Sequence, residues 1–202
     1  WLLARNSARE IVAGQMMQTA SETAEGIPFF IQTGRANIRQ LAEEIGDPAA
    51  SQGGALGSDL QDALHRLTYF SRLVVFDPSG AVRAAAPDQG LPDRSLPLEV
   101  EAALASAALG IPLEVVTAPS SPRDGAQLVF LSPLGNPEGD RAAGVLVGWT
   151  DLGAAPLLQP VIARLAGHTA GEAYVADDRG VILIHPNPER WLARVALPAG
   201  QE

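Results

Sequence analysis

The stretches Val75-Phe-Asp-Pro-Ser-Gly-Ala-Val82 and Val175-Ala-Asp-Asp-Arg-Gly-Val-Ile182 carry one signature, displaced by one hundred residues. Each is an apolar pair, then Asp-x-x-Gly, then a second apolar pair. Such a pattern reads as a β-hairpin: Pro78 presets φ for the turn, and Gly80 or Gly180 supplies a positive φ. One copy means little, because Asp-x-x-Gly turns are common. Two copies, each preceded by a short helical pattern, predict two related α+β modules in tandem. The second is expected to be incomplete, since only about two dozen residues follow its hairpin.

Upstream, Val12, Met16, Ala20, Thr23, Ile27, Ile31, Gly34, Ile38, Leu41 and Ile45 follow steps of three and four residues. That spacing draws an apolar stripe along a long helix, which Gly46 and Asp47-Pro48 stop. Gly26 and Pro28 are expected to bend or interrupt it, and a broken pair of ordinary core helices is the alternative. Ser58 and Gln61 form a capping-box pattern ahead of Leu60, Leu64 and Leu67. Pro97 to Leu109 reads as a helix ended by Gly110. Strands are expected at 113–117, 127–132 and 143–149, and Leu158, Val161, Ile162 and Leu165 draw a further helical stripe. These features divide the chain into a long helix at 1–46, a complete module at 47–152 and the start of a second at 153–202.

Composition removes several function classes. The net charge is −9 and all fourteen basic residues are Arg. An acidic chain with no basic stripe is a poor partner for nucleic acid, and a poor one for lying flat on an anionic membrane. There is no cysteine, which excludes disulfides, Cys-based zinc sites, iron–sulfur clusters and a thiol nucleophile. No run reaches the roughly 18 apolar residues that span a bilayer. The opening Trp1-Leu2-Leu3 fits either the trimmed end of a longer hydrophobic segment or an arbitrary boundary.

The motifs of catalysis are missing. There is no Gly-x-Ser-x-Gly elbow, no phosphate loop and no His-Glu-x-x-His helix. His65, His168 and His185 stand far apart and lack metal-ligand spacing. His185, before Pro186, is weighed as a ligand or pH-sensing group and read as structural. Adjacent carboxylates such as Glu43-Glu44 and Asp177-Asp178 do not converge on one substrate. No enzyme activity, metal or cofactor is expected of this chain.

With these elements in place, the chain resembles the double Cache sensor domains of bacterial histidine kinases and chemoreceptors. The resemblance rests on Leu131-Ser-Pro-Leu134 with Ala143-Gly-Val-Leu-Val-Gly-Trp-Thr-Asp-Leu152, and on Gly171-Glu-Ala-Tyr-Val-Ala-Asp-Asp-Arg-Gly-Val-Ile-Leu-Ile-His-Pro186. It implies an α+β fold: a long N-terminal helix, then a membrane-distal and a membrane-proximal PAS-like antiparallel module. In that family a concave sheet under a capping segment binds small polar ligands. Asp93-Arg94-Ser95-Leu96 resembles the Arg-bearing cap, although Leu96, Pro97 and Leu98 replace the aromatics expected there. The family's acidic strand position falls at Trp149 or Asp151.

The resemblance therefore implies an extracytoplasmic sensor of a membrane-anchored receptor, with any kinase or cyclase output elsewhere. Arg94 is the expected carboxylate anchor, and Asp151 the expected partner of an ammonium group. Trp149 and Tyr69 are expected as apolar walls, with Arg72 nearby. The implied ligand is an amino acid, amine or carboxylate. A homodimer through the N-terminal helix is expected, with membrane contact only through flanking segments. Two other readings stay open: a structural or partner-binding ectodomain without ligand, and a cytoplasmic PAS-type module. The missing Cys and His motifs remove the usual haem and flavin anchors of the latter.

Overall fold

The structure is a computed structural model that describes residues 26–48, 55–88, 98–109, 116–118, 127–135, 142–166, 174–176, 180–191 and 193–195. The chain divides into two compact units, Ile31–Ala155 and Trp1–Phe30 with Pro156–Glu202. Helix α1 covers residues 26–45 and runs unbroken past Pro28 and Gly34. It ends at Gly46, whose φ of 63° supplies the left-handed cap expected of it. The expected stripe at residues 12 to 23 lies outside the described residues.

In the first unit follow α2 (Ala55–Arg66), β1 (Arg72–Phe76), β2 (Val82–Ala86), α3 (Leu98–Ala108), β3 (Val116–Ala118), β4 (Gln127–Leu134) and β5 (Gly144–Asp151). The strands form one antiparallel sheet in the order β2-β1-β5-β4-β3. This is the α+β antiparallel fold predicted. One start differs from expectation: Ser58 lies inside α2 rather than capping it. Leu56 is buried together with Leu60 and Ala63, one stripe at helical spacing, and that stripe carries the helix back past the capping-box motif.

Both faces of the sheet are covered, so its central strands read as continuous apolar runs and not as alternating ones. On one face Val74, Phe76, Val129, Leu131, Val145, Val147 and Trp149 pack with Val100, Ala103 and Ala107 of α3. The alternate residues face α1. There Gly148 lies under Phe70 and Ile38, and Gly34 lies against Phe130 and Tyr69. Glycine is needed at these two points because a Cβ at Gly148 would come 2.8 Å from the Phe70 ring, and one at Gly34 would come 2.7 Å from Tyr69 Oη.

The β1–β2 turn is held by one side chain. Asp77 Oδ1 accepts hydrogen bonds from Ser79 N–H at 2.9 Å, Ser79 Oγ at 2.5 Å and Ala81 N–H at 3.0 Å, while Gly80 adopts φ 84°. These donors, Ser79 first, hold the Asp77 carboxyl below its ordinary range.

The second unit contains α4 (Gln159–Ala166), β6 (Val175–Ala176), β7 (Ile182–Ile184) and a 3-10 turn at Pro188–Arg190. Its hairpin repeats the first in register. Val75 pairs with Ala84 and Phe76 with Val82; one hundred residues on, Val175 pairs with Ile184 and Ala176 with Ile182. Both ladders slip by one residue at the same step, and Gly180 takes φ 74° where Gly80 takes 84°. The sequence repeat is thus a repeat of backbone geometry within each hairpin. Asp177 to Arg179 lie outside the described residues.

Candidate ligand-binding face of the sheet

Strand pairing decides which of the candidate side chains can meet. Residues directly opposite in an antiparallel ladder share a face, as do residues two apart along a strand. Arg72 is opposite Trp149, Trp149 is opposite Val129, and Asp151 is opposite Gln127. Trp149 belongs to the α3-side cluster, so Arg72, Trp149, Asp151 and Gln127 all stand on that face. Trp149 is buried, and the three polar residues around it are half-buried.

The electrostatics of this patch are mixed. Gln127 Nε2 lies 3.4 Å from Asp151 Oδ1, a long hydrogen bond that turns the amide donor toward the carboxylate. Arg72 sits diagonally from Asp151 across the β1–β5 ladder, a backbone separation of about 7–8 Å. Among the described residues the Arg72 guanidinium has no hydrogen-bond or ion-pair partner. A cation, an anion and an aromatic plane thus share one sheet end. The Asp151 main chain also closes the strand, its carbonyl accepting from Ala155 N–H at 2.9 Å.

Tyr69 does not join them, which corrects the expectation that it walls the same pocket. Its ring packs edge-on to Phe70 and Phe130, with centroids 5.1 and 5.6 Å away, on the α1 side of the sheet. Burial raises the Tyr69 phenol well above its ordinary value, against a smaller opposing effect of a backbone hydrogen bond from Gly34. Tyr69 belongs to the helix-side core. Arg94 lies outside the described residues. Gln127 is the group that sequence reading missed; counting outward from the Leu134–Gly144 pair sets it opposite Asp151.

His185 is buried in the second unit. Its Nδ1 accepts from Asn187 N–H at 2.8 Å, its ring stacks on Tyr174, and its carbonyl accepts from Trp191 Nε1. These contacts support its structural reading.

No family model matches the chain, and no curated protein matches it. Solved structures do. The ligand-binding domain of the amino acid chemoreceptor PctC of Pseudomonas aeruginosa, in complex with GABA, superposes with TM-score 0.69 at 19% identity, over 90% of this chain and 77% of that one. The ligand-binding domain of the chemoreceptor CtaA of Pseudomonas fluorescens, in complex with L-isoleucine, gives 0.61 at 20% identity, over 95% and 75%. An extracellular ligand binding receptor from Desulfohalobium retbaense gives 0.64 at 16% identity, over 89% of this chain. This chain spans about a third of that receptor's length (32%). The fold of this chain is that of the ligand-binding domains of these chemoreceptors, the fold that the Cache resemblance implies.

Proposed function

We propose that this chain is the extracytoplasmic ligand-sensing domain of a membrane-anchored signal-transduction receptor, and that it is not itself an enzyme. Its ligand is a small polar metabolite of the amino acid, amine or carboxylate class, held on the α3 face by Asp151, Trp149 and Arg72. The resemblance adds Arg94 from the capping segment. The observation that carries this reading is the half-buried Asp151 beside Trp149, with Arg72 across the ladder. The neighbouring structures, determined with GABA and with L-isoleucine, support the ligand class.

The proposed organisation is the helix at 1–46, a distal module at 47–152 and a proximal module begun at 153–202. Self-association runs through the N-terminal helix. None of the helices among the described residues is long and apolar enough to cross a membrane. In this proposal membrane contact is made through flanking segments. A second reading, a structural or partner-binding ectodomain, draws on the close packing of Val100, Ala103 and Ala107 over much of the same face. A thermal-shift screen with amino acids, amines and small carboxylates separates the two. A hit whose effect is lost in Asp151→Ala supports the sensor; silence across the panel supports the structural ectodomain.

A further inference from the structure

Strand β5 carries the candidate site on one face and the seat of α1 on the other. Trp149 packs in the α3-side cluster, and Gly148, the residue before it, faces α1. Gly148 lies opposite Leu73 on β1 and opposite Phe130 on β4. It has no side chain of its own, so Ile38 of α1 and Phe70 close over its backbone. A Cβ added there would stand 3.1 Å from Ile38 Cδ1 and 2.8 Å from the Phe70 ring. The Phe70 and Phe130 rings meet edge to face, 6.0 Å between centroids, and Gly34 of α1 sits on the Phe130 ring. Ile38, Phe70 and Phe130 are all buried.

A second connection runs along the main chain. Ser71, the residue after Phe70, donates to the Trp149 carbonyl from its N–H at 2.8 Å and from its Oγ at 3.2 Å. Arg72 then pairs with Trp149 across the ladder. The backbone beneath the Phe70 ring is thereby tied to the aromatic residue of the candidate site.

From these contacts we infer that β5 couples the α3 face to α1. A shift of Trp149 moves Gly148, and the seat made by Ile38 and Phe70 has to repack. A close-packed interior has no slack to absorb such a shift, so it passes to the helix. Resting on the ligand-site reading, this coupling is the route by which occupancy of the α3 face reaches α1. Coupling of this kind is reciprocal: a change in the seat of α1 alters affinity for a ligand that the seat does not touch.

The test alters the seat and reads the other face. Ile38→Val removes the Cδ1 methyl that meets Gly148 and leaves the residues of the candidate site unchanged. Ile182→Val takes the same methyl from a buried isoleucine of the second unit and serves as the control. The first readout needs no ligand. In proton–nitrogen correlation spectra, the Trp149 indole N–H is expected to move by more than its linewidth in Ile38→Val and to stay in place in Ile182→Val. The second is calorimetric titration with the twenty L-amino acids. Ile38→Val should weaken the tightest binder by at least about twofold, and Ile182→Val should leave it unchanged. An unmoved Trp149 signal in Ile38→Val overturns the coupling, and so does a moved signal with equal affinity in variant and parent. A moved signal with no binding by any amino acid retains the coupling and overturns the ligand-site reading instead.

Discussion

The ring of Phe130 occupies the space that a side chain at Gly34 would need. This contact joins the two sides of the sheet. Phe130 points at α1, while its neighbours Val129 and Leu131 on β4 point at α3. On β5, Gly148 and Trp149 divide in the same way. Each central strand therefore presents one residue to the candidate site and the next to the helix. A displacement of β4 or β5 is felt on both faces.

Gly34→Ala tests the closeness of that seat. In an exposed helix the substitution gains about 1 kcal/mol from helix propensity. Here the added methyl meets two buried rings, and overpacking of that kind costs about 1–3 kcal/mol. The expected outcome is a lower urea midpoint for the variant. A higher midpoint would show that α1 and β4 are not in contact at this position.

Thr150, on the α1 side between Trp149 and Asp151, has a buried hydroxyl without a hydrogen-bond partner among the described residues. Replacing it with Val keeps the branched shape and removes the unsatisfied group. Such a change is expected to stabilise the fold by about 1 kcal/mol, read as a raised denaturation midpoint. A loss of stability would mean that the hydroxyl is satisfied in solution.

The Asp77 turn predicts a pH dependence. Its carboxyl is held low in the folded chain by Ser79 and Ala81 donors. The stabilisation it provides is therefore present above the ordinary carboxylate value of 3.8 and is lost as pH falls below it. Asp77→Ala should be less stable than the parent at pH 6. The gap between the two midpoints should narrow toward pH 3. A gap that is constant or that widens on acidification would remove this role from Asp77.

Much of this architecture is legible in sequence because its signals are local. Asp77, Pro78 and Gly80 specify their turn within four residues, and the repeat at Gly180 shows the same positive φ. The stripe through Gly34, Ile38 and Leu41 is buried as its spacing predicts. What could not be read depends on distance or direction. Tyr69 lies in the connection between α2 and β1, where no periodicity says which face of the sheet a side chain joins. Gln127 meets Asp151 only through the β4–β5 register, twenty-four residues away. Ser58 carries a capping motif, but Leu56 is buried and extends the helix beyond it.

The central claim is that the α3 face is a ligand site, and titration calorimetry of one pair of chains tests it most directly. The parent chain and Asp151→Ala are titrated with the amino acid that gives the largest thermal shift. The account predicts saturable binding to the parent and a loss of at least about tenfold in the variant, with the variant's melting profile otherwise cooperative. Equal affinity in the two chains would place the ligand elsewhere and contradict the account.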